Sequence, residues 1–152
     1  MKKYILTLIA FLPLLALAQK QDSVLFTGAT KIIIKTGLSA NDNYQIAAQK
    51  LLDQSYSIEK SDKEFFQLYS GTTPVYGEGV SRLLSLYVLS REGQIIIVGR
   101  TKRTEQLRIV NAPMDTDNFE IMPYKNSRLM KEVFAKTAAY AKTIGSKLIY
   151  SE

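Results

Sequence analysis

The chain has 152 residues, 20 basic against 14 acidic side chains, and no cysteine, histidine or tryptophan. Thiol nucleophiles, disulfides, imidazole bases and thiolate zinc sites are thereby excluded. The remaining excess of +6 is modest, and charge of both signs is interspersed in the way solubility requires.

Lys2 and Lys3 precede an apolar run from Tyr4 to Leu17, which contains Pro13 and closes on Ala16-Leu17-Ala18 before the polar Gln19-Lys20-Gln21-Asp22. Residues 1–18 therefore have the parts of a signal peptide: a basic start, a short apolar centre and small residues for the peptidase. The run falls short of the roughly 20 apolar residues that cross a bilayer. A periplasmic or secreted product is expected, with 134 residues, a charge of +4 once Lys2 and Lys3 are gone, and no transmembrane segment. Such a length suffices for one domain, because roughly two-thirds of its unfolded surface can be buried. In that compartment a weakly basic surface suits lipid head groups or anionic polysaccharide of the envelope, and nucleic acid is not expected as a partner.

Residues 19–29 form a leading arm in which Val24-Leu25-Phe26 either adds a short strand or docks on the core; residues 30–152 make the single domain. Lys31-Ile32-Ile33-Ile34-Lys35-Thr36 is a β-rich run ending at Gly37, which predicts the first strand. Ser39 with Asp42 three positions on marks a helix start. Tyr44, Ala47, Ala48, Leu51 and Leu52 then recur at helical spacing, so Tyr44 belongs to the core. From Tyr56 the period becomes two, and a hairpin turning near Ser61-Asp62-Lys63 is predicted. Gly71 to Gly79, with Pro74, is expected to be a loop. A strand over 83–90, a turn at Arg91-Glu92-Gly93-Gln94 and a returning strand over 94–100 follow. Leu107, Ile109 and Val110 either extend the sheet or form an edge piece. A second helix capped by Asn126 or Ser127 carries an apolar stripe from Met130 to Ala141 and stops near Gly145, and Leu148-Ile149-Tyr150 packs back as a tail. The order β-α-β-β-β-β-α defines an α+β two-layer sandwich: a mainly antiparallel sheet of four to five strands with two helices on one face.

The central hairpin carries more apolar surface than two helices cover. Leu83, Leu86, Tyr87, Ile96 and Val98 are the candidate binding residues of an exposed sheet face. Its occupant is the arm, the tail, an unknown partner protein or a second copy of the chain, which would make a homodimer. Arg100-Thr101-Lys102-Arg103 is the densest basic stretch. Arg100, Lys102 and Arg103 suit an anion, yet no aromatic residue interrupts them, so a charged edge that resists sheet-to-sheet pairing is the stronger expectation. Asp115, Asp117 and Glu120 have the oxygen ligands a hard cation prefers, without the glycine and distal glutamate of a calcium loop. They are also the only clustered carboxylates for a hydrolase. No serine has a histidine to activate it, and no cofactor is expected.

The residues from Lys31 to Asp62, Lys-Ile-Ile-Ile-Lys-Thr, Ser-Ala-Asn-Asp-Asn-Tyr and Tyr-Ser-Ile-Glu-Lys-Ser-Asp, resemble small secreted domains of Bacteroides-type Gram-negative bacteria. The element order is similar to that of outer-membrane-assembly lipoprotein domains, which implies an interaction module, although the lipidation cysteine is missing. The function expected is a non-enzymatic binding domain. The alternatives are a carboxylate-based envelope hydrolase and a small-ligand-binding protein.

Overall fold

The structure is a computed structural model that describes residues 20–77, 79–104 and 118–152. They form two helices and nine strands: β1 Gln21–Asp22, β2 Lys31–Lys35, α1 Ala40–Asp53, β3 Ile58–Asp62, β4 Gln67–Ser70, β5 Thr73–Gly77, β6 Val80–Arg91, β7 Gln94–Arg103, β8 Glu120–Ile121, α2 Arg128–Ile144 and β9 Leu148–Ser151. The fold is α+β, as expected. Its sheet is larger than the four to five strands anticipated.

The helices start where the caps place them. Ser39 accepts from the Asp42 amide at the head of α1, and Ser127 accepts from the Met130 amide at the head of α2, each satisfying an amide that has no partner within the helix. Asn43 ties α1 down further: its side-chain amide donates to the carbonyls of Leu38 and Arg91. The turn between β3 and β4 is closed by Asp62, whose carboxylate accepts from the amides of Glu64 and Phe65. A two-residue turn joins β6 to β7, where Arg91 faces Gln94 and Gly93 takes the left-handed φ of 69° that glycine accepts without strain.

One sheet contains every described strand, in the order β1-β9-β2-β7-β6-β4-β3, with β5 also on β6 and β8 also on β7, all antiparallel. The long hairpin β6–β7 is its spine. Along one side of β6 the neighbour changes from β5 to β4. At the changeover Ser70 replaces a ladder partner, its hydroxyl accepting from the Leu86 amide at 2.8 Å while its carbonyl accepts from the Ser85 hydroxyl.

Four strands lie outside the expected count. Residues 73–77 pair with β6 where a loop was anticipated, and Pro74 is tolerated because β5 has a partner on one side only. The tail is a full strand between β1 and β2. Two-residue β1 and β8 are too short to leave a periodic signal. Strands β6 and β7 also run longer than 83–90 and 94–100. Residues 105–110 lie outside the described residues.

Both helices sit on one side of the sheet. The core between the layers joins Ile32, Ile34, Leu84, Leu86, Val88, Ile95 and Ile97 of the strands to Tyr44, Ala47 and Leu51 of α1 and Met130, Val133, Phe134 and Tyr140 of α2. The Tyr140 hydroxyl donates to the Ala47 carbonyl at 2.8 Å and links the two helices. The arm closes this same side: Leu25 and Phe26 pack against the core, the Tyr124 amide donates to the Ala29 carbonyl, and the Gly28 amide donates to the Tyr124 carbonyl. No helix among the described residues is long and apolar enough to cross a membrane.

Candidate binding face

A strand directs successive side chains to opposite faces, so core residues at even positions of β6 and odd positions of β7 leave Leu83, Tyr87 and Leu89, with Ile96 and Val98, on the other side. Ile33 and Val98 are both buried, yet they stand apart from the core that includes Ile32, Ile34 and Ile97. Because all strands share one sheet and both helices lie opposite, no described helix or strand covers this second face. The arm and the tail join the sheet at its edge and do not cross it.

Register orders the face into rows. Leu89, Ile96, Ile33 and Ile149 lie side by side on β6, β7, β2 and β9. Two residues further along, Lys60, Tyr69, Tyr87 and Val98 form the next row on β3, β4, β6 and β7. Beyond them come Arg100 beside Ile121, and Lys102 beside Leu83 and Pro74. At the opposite end the apolar rows are closed by Arg91, Gln94 and Lys35, where the lysine donates to the Gln94 side chain at 2.6 Å.

Aromatic rings run between the cations. Tyr69 and Tyr87 lie 4.9 Å apart with ring planes at 34°. Lys60 stands 5.8 Å and Arg100 5.3 Å from the Tyr69 ring, and Arg100 and Lys102 stand 5.2 and 5.0 Å from that of Phe119. Each of these pairs is attractive because a cation meets the negative face of a ring. Burial holds the Tyr87 phenol above its ordinary range and neighbouring Tyr69 adds to this, while Arg91 and Arg100 oppose it.

Of the five residues proposed for the face, Leu83, Tyr87, Ile96 and Val98 share it. Leu86 does not: it is fully buried among the core residues under the helices, as its place next to Tyr87 requires. Arg100 and Lys102 join the same face, whereas Arg103, opposite Arg82, is on the other side and exposed. Arg100 and Thr101 are no free edge, since β8 pairs with them on the side away from β6, whereas Lys102 and Arg103 extend past the two-residue β8. The aromatic partners that the linear sequence withholds from this basic stretch arrive from β4 and from Phe119.

Asp115 and Asp117 lie outside the described residues. Glu120 faces the helix side and accepts from Arg82 at 3.2 Å, and Arg82 also donates to Thr101. Among the described residues no group of three or more acidic, histidine or cysteine side chains is placed to hold a metal. No protein-family model matches the chain, and no curated protein matches it.

Proposed function

We propose that the chain is a non-enzymatic binding domain, periplasmic or secreted, that docks its partner on the sheet face opposite the helices. The observation that supports this reading is the alternation along the central hairpin. Leu84, Leu86, Val88, Ile95 and Ile97 enter the core, and Leu83, Tyr87, Leu89, Ile96 and Val98 line a face that no described helix or strand covers. Apolar sheet faces of this kind are ordinarily met by another molecule. A chain without cysteine or histidine also lacks the side chains most used as nucleophile and general base. The signal-peptide pattern of residues 1–18 and the resemblance to secreted Bacteroides-type domains support the location.

Photolabelling with a small apolar diazirine, combined with mass measurement over a wide concentration range, tests the reading. Labels on the peptides that carry Leu89 and Ile96 are expected in the monomer, with loss of labelling wherever the mass rises. A protein that stays monomeric at every concentration and takes no label on these peptides overturns it.

A further inference from the structure

The charge on this face narrows its occupant. Two apolar rows, Leu89-Ile96-Ile33-Ile149 and Tyr87-Val98, are bounded by cations at both ends, Arg91 and Lys35 on one side and Arg100 and Lys102 on the other, and Lys60 stands at the β3 end of the second row. Asp62, opposite Gln67, is an acidic residue at the margin of the face. From Gln94 to Arg100 the band spans seven residues of β7, and the six steps between them amount to about 20 Å at the rise of a strand. An α-helix with its side chains is about 10–12 Å across, which leaves room on each flank for a side chain to meet a cation.

A second copy of the chain is a poor occupant, because face-to-face pairing would set basic margins against basic margins. A sugar or a base is poorly served as well. The Tyr69 ring lies against Tyr87 and beneath Lys60 and Arg100, so it offers no free stacking platform, and the aliphatic row presents no hydrogen-bonding groups.

We infer that the face receives an amphipathic helical segment of another protein, with an apolar stripe flanked on both sides by carboxylates. The stripe covers Leu89, Ile96 and Ile149 across the already buried Ile33, and the carboxylates meet Arg91 and Lys35 on one flank and Arg100 and Lys102 on the other. The inference rests on the binding-face reading above and adds the chemistry of the partner.

The test uses three synthetic peptides of about five helical turns: a leucine stripe with glutamate flanks, the same stripe with lysine flanks, and a scrambled glutamate peptide. Anionic phosphatidylglycerol vesicles form a fourth arm. Titration against the protein is expected to show the striped glutamate peptide binding at least about tenfold tighter than the others, with the advantage shrinking as salt screens the flanks. The double variant Arg100→Glu with Lys102→Glu should lose about tenfold for that peptide and gain for the lysine peptide, with an unchanged circular-dichroism spectrum. Equal binding of both striped peptides, binding to vesicles alone, or dimerisation that excludes every peptide each overturns the acidic helix. So does failure of all peptides to bind while the diazirine still labels the face, a result that leaves the binding-face reading standing. An unlabelled face in a monomer overturns both.

Discussion

Arg100 on β7 stands 5.3 Å from the ring of Tyr69 on β4, reaching across β6, which separates their two strands. The contact is diagonal: Tyr69 faces Tyr87, and Arg100 lies two residues beyond Tyr87's own partner, Val98. Three strands therefore contribute to one aromatic and cationic patch, and its residues are 31 positions apart in sequence between Tyr69 and Arg100. The arrangement depends on the alternation that also divides the hairpin between core and open face, which makes the two faces separable by mutation.

Ile96 and Ile97 are consecutive residues with opposite environments. Ile97 is fully buried in the core, so Ile97→Ala is expected to cost about 3 kcal/mol through lost burial and the cavity left behind. Ile96→Ala removes the same atoms from the open face and should cost about 1 kcal/mol or less. Urea unfolding of the two variants checks this. Equal losses would mean that both faces are packed to the same degree.

Arg82 and Glu120 make an unequal pair, because the arginine side chain is 8% exposed and the glutamate 65%. Glu120→Ala leaves a buried guanidinium that still donates to Thr101 but has lost its carboxylate, and is expected to cost of order 2 kcal/mol. Arg82→Met supplies an apolar side chain of similar length and releases Glu120 to water, so it should be nearly neutral. The order of the two melting midpoints decides the matter, and a methionine variant less stable than the alanine variant would contradict the argument.

Local signals in the sequence translate directly into structure. Ser39 with Asp42, Ser127, Gly93 and the isoleucine run Ile32 to Ile34 are each settled within a few residues, and each appears where expected. What failed was non-local. Pro74 argues for a loop unless the strand has an edge position, and that position is known only after β5 pairs with β6. Leu86 and Tyr87 read alike in the sequence because both are apolar, although adjacent strand residues face opposite ways. Arg100 to Arg103 contains no aromatic residue, and its rings come from Tyr69 and Phe119 through pairing with no signature inside the stretch.

Alkaline pH should loosen the protein. Burial, with Tyr56 adding to it, pushes the Tyr140 phenol far above its ordinary range, and burial likewise raises Tyr56, Tyr87 and Tyr150. A phenol raised by folding keeps its proton longer in the folded state, so its stabilisation is complete below the unfolded pKa of about 10 and is lost as pH rises through the folded value. Tyr140→Phe should cost about 1 kcal/mol at neutral pH by deleting the bond to the Ala47 carbonyl, and should make the alkaline decline shallower. Urea midpoints measured from neutral to strongly alkaline pH check both effects. A wild-type midpoint that stays flat well above pH 10 would count against burial as the cause.

Gly77 is where β5 meets the first turn of α2. A Cβ there would lie 2.4 Å from the backbone nitrogen of Leu129 and 2.6 Å from its Cα. These atoms belong to the helix backbone, so Gly77→Ala must displace the helix end, strain the bond from the Tyr76 amide to Glu132, and cost about 2–3 kcal/mol. Gly99→Ala meets side-chain atoms instead, Thr137 Oγ1 at 2.8 Å, Val133 Cγ1 at 3.2 Å and Leu84 Cδ1 at 3.3 Å. Small rotations relieve part of that crowding, so about 1–2 kcal/mol is expected. Unfolding free energies of the two variants give the comparison, and a Gly77→Ala protein as stable as the wild type would show that β5 and α2 do not approach this closely.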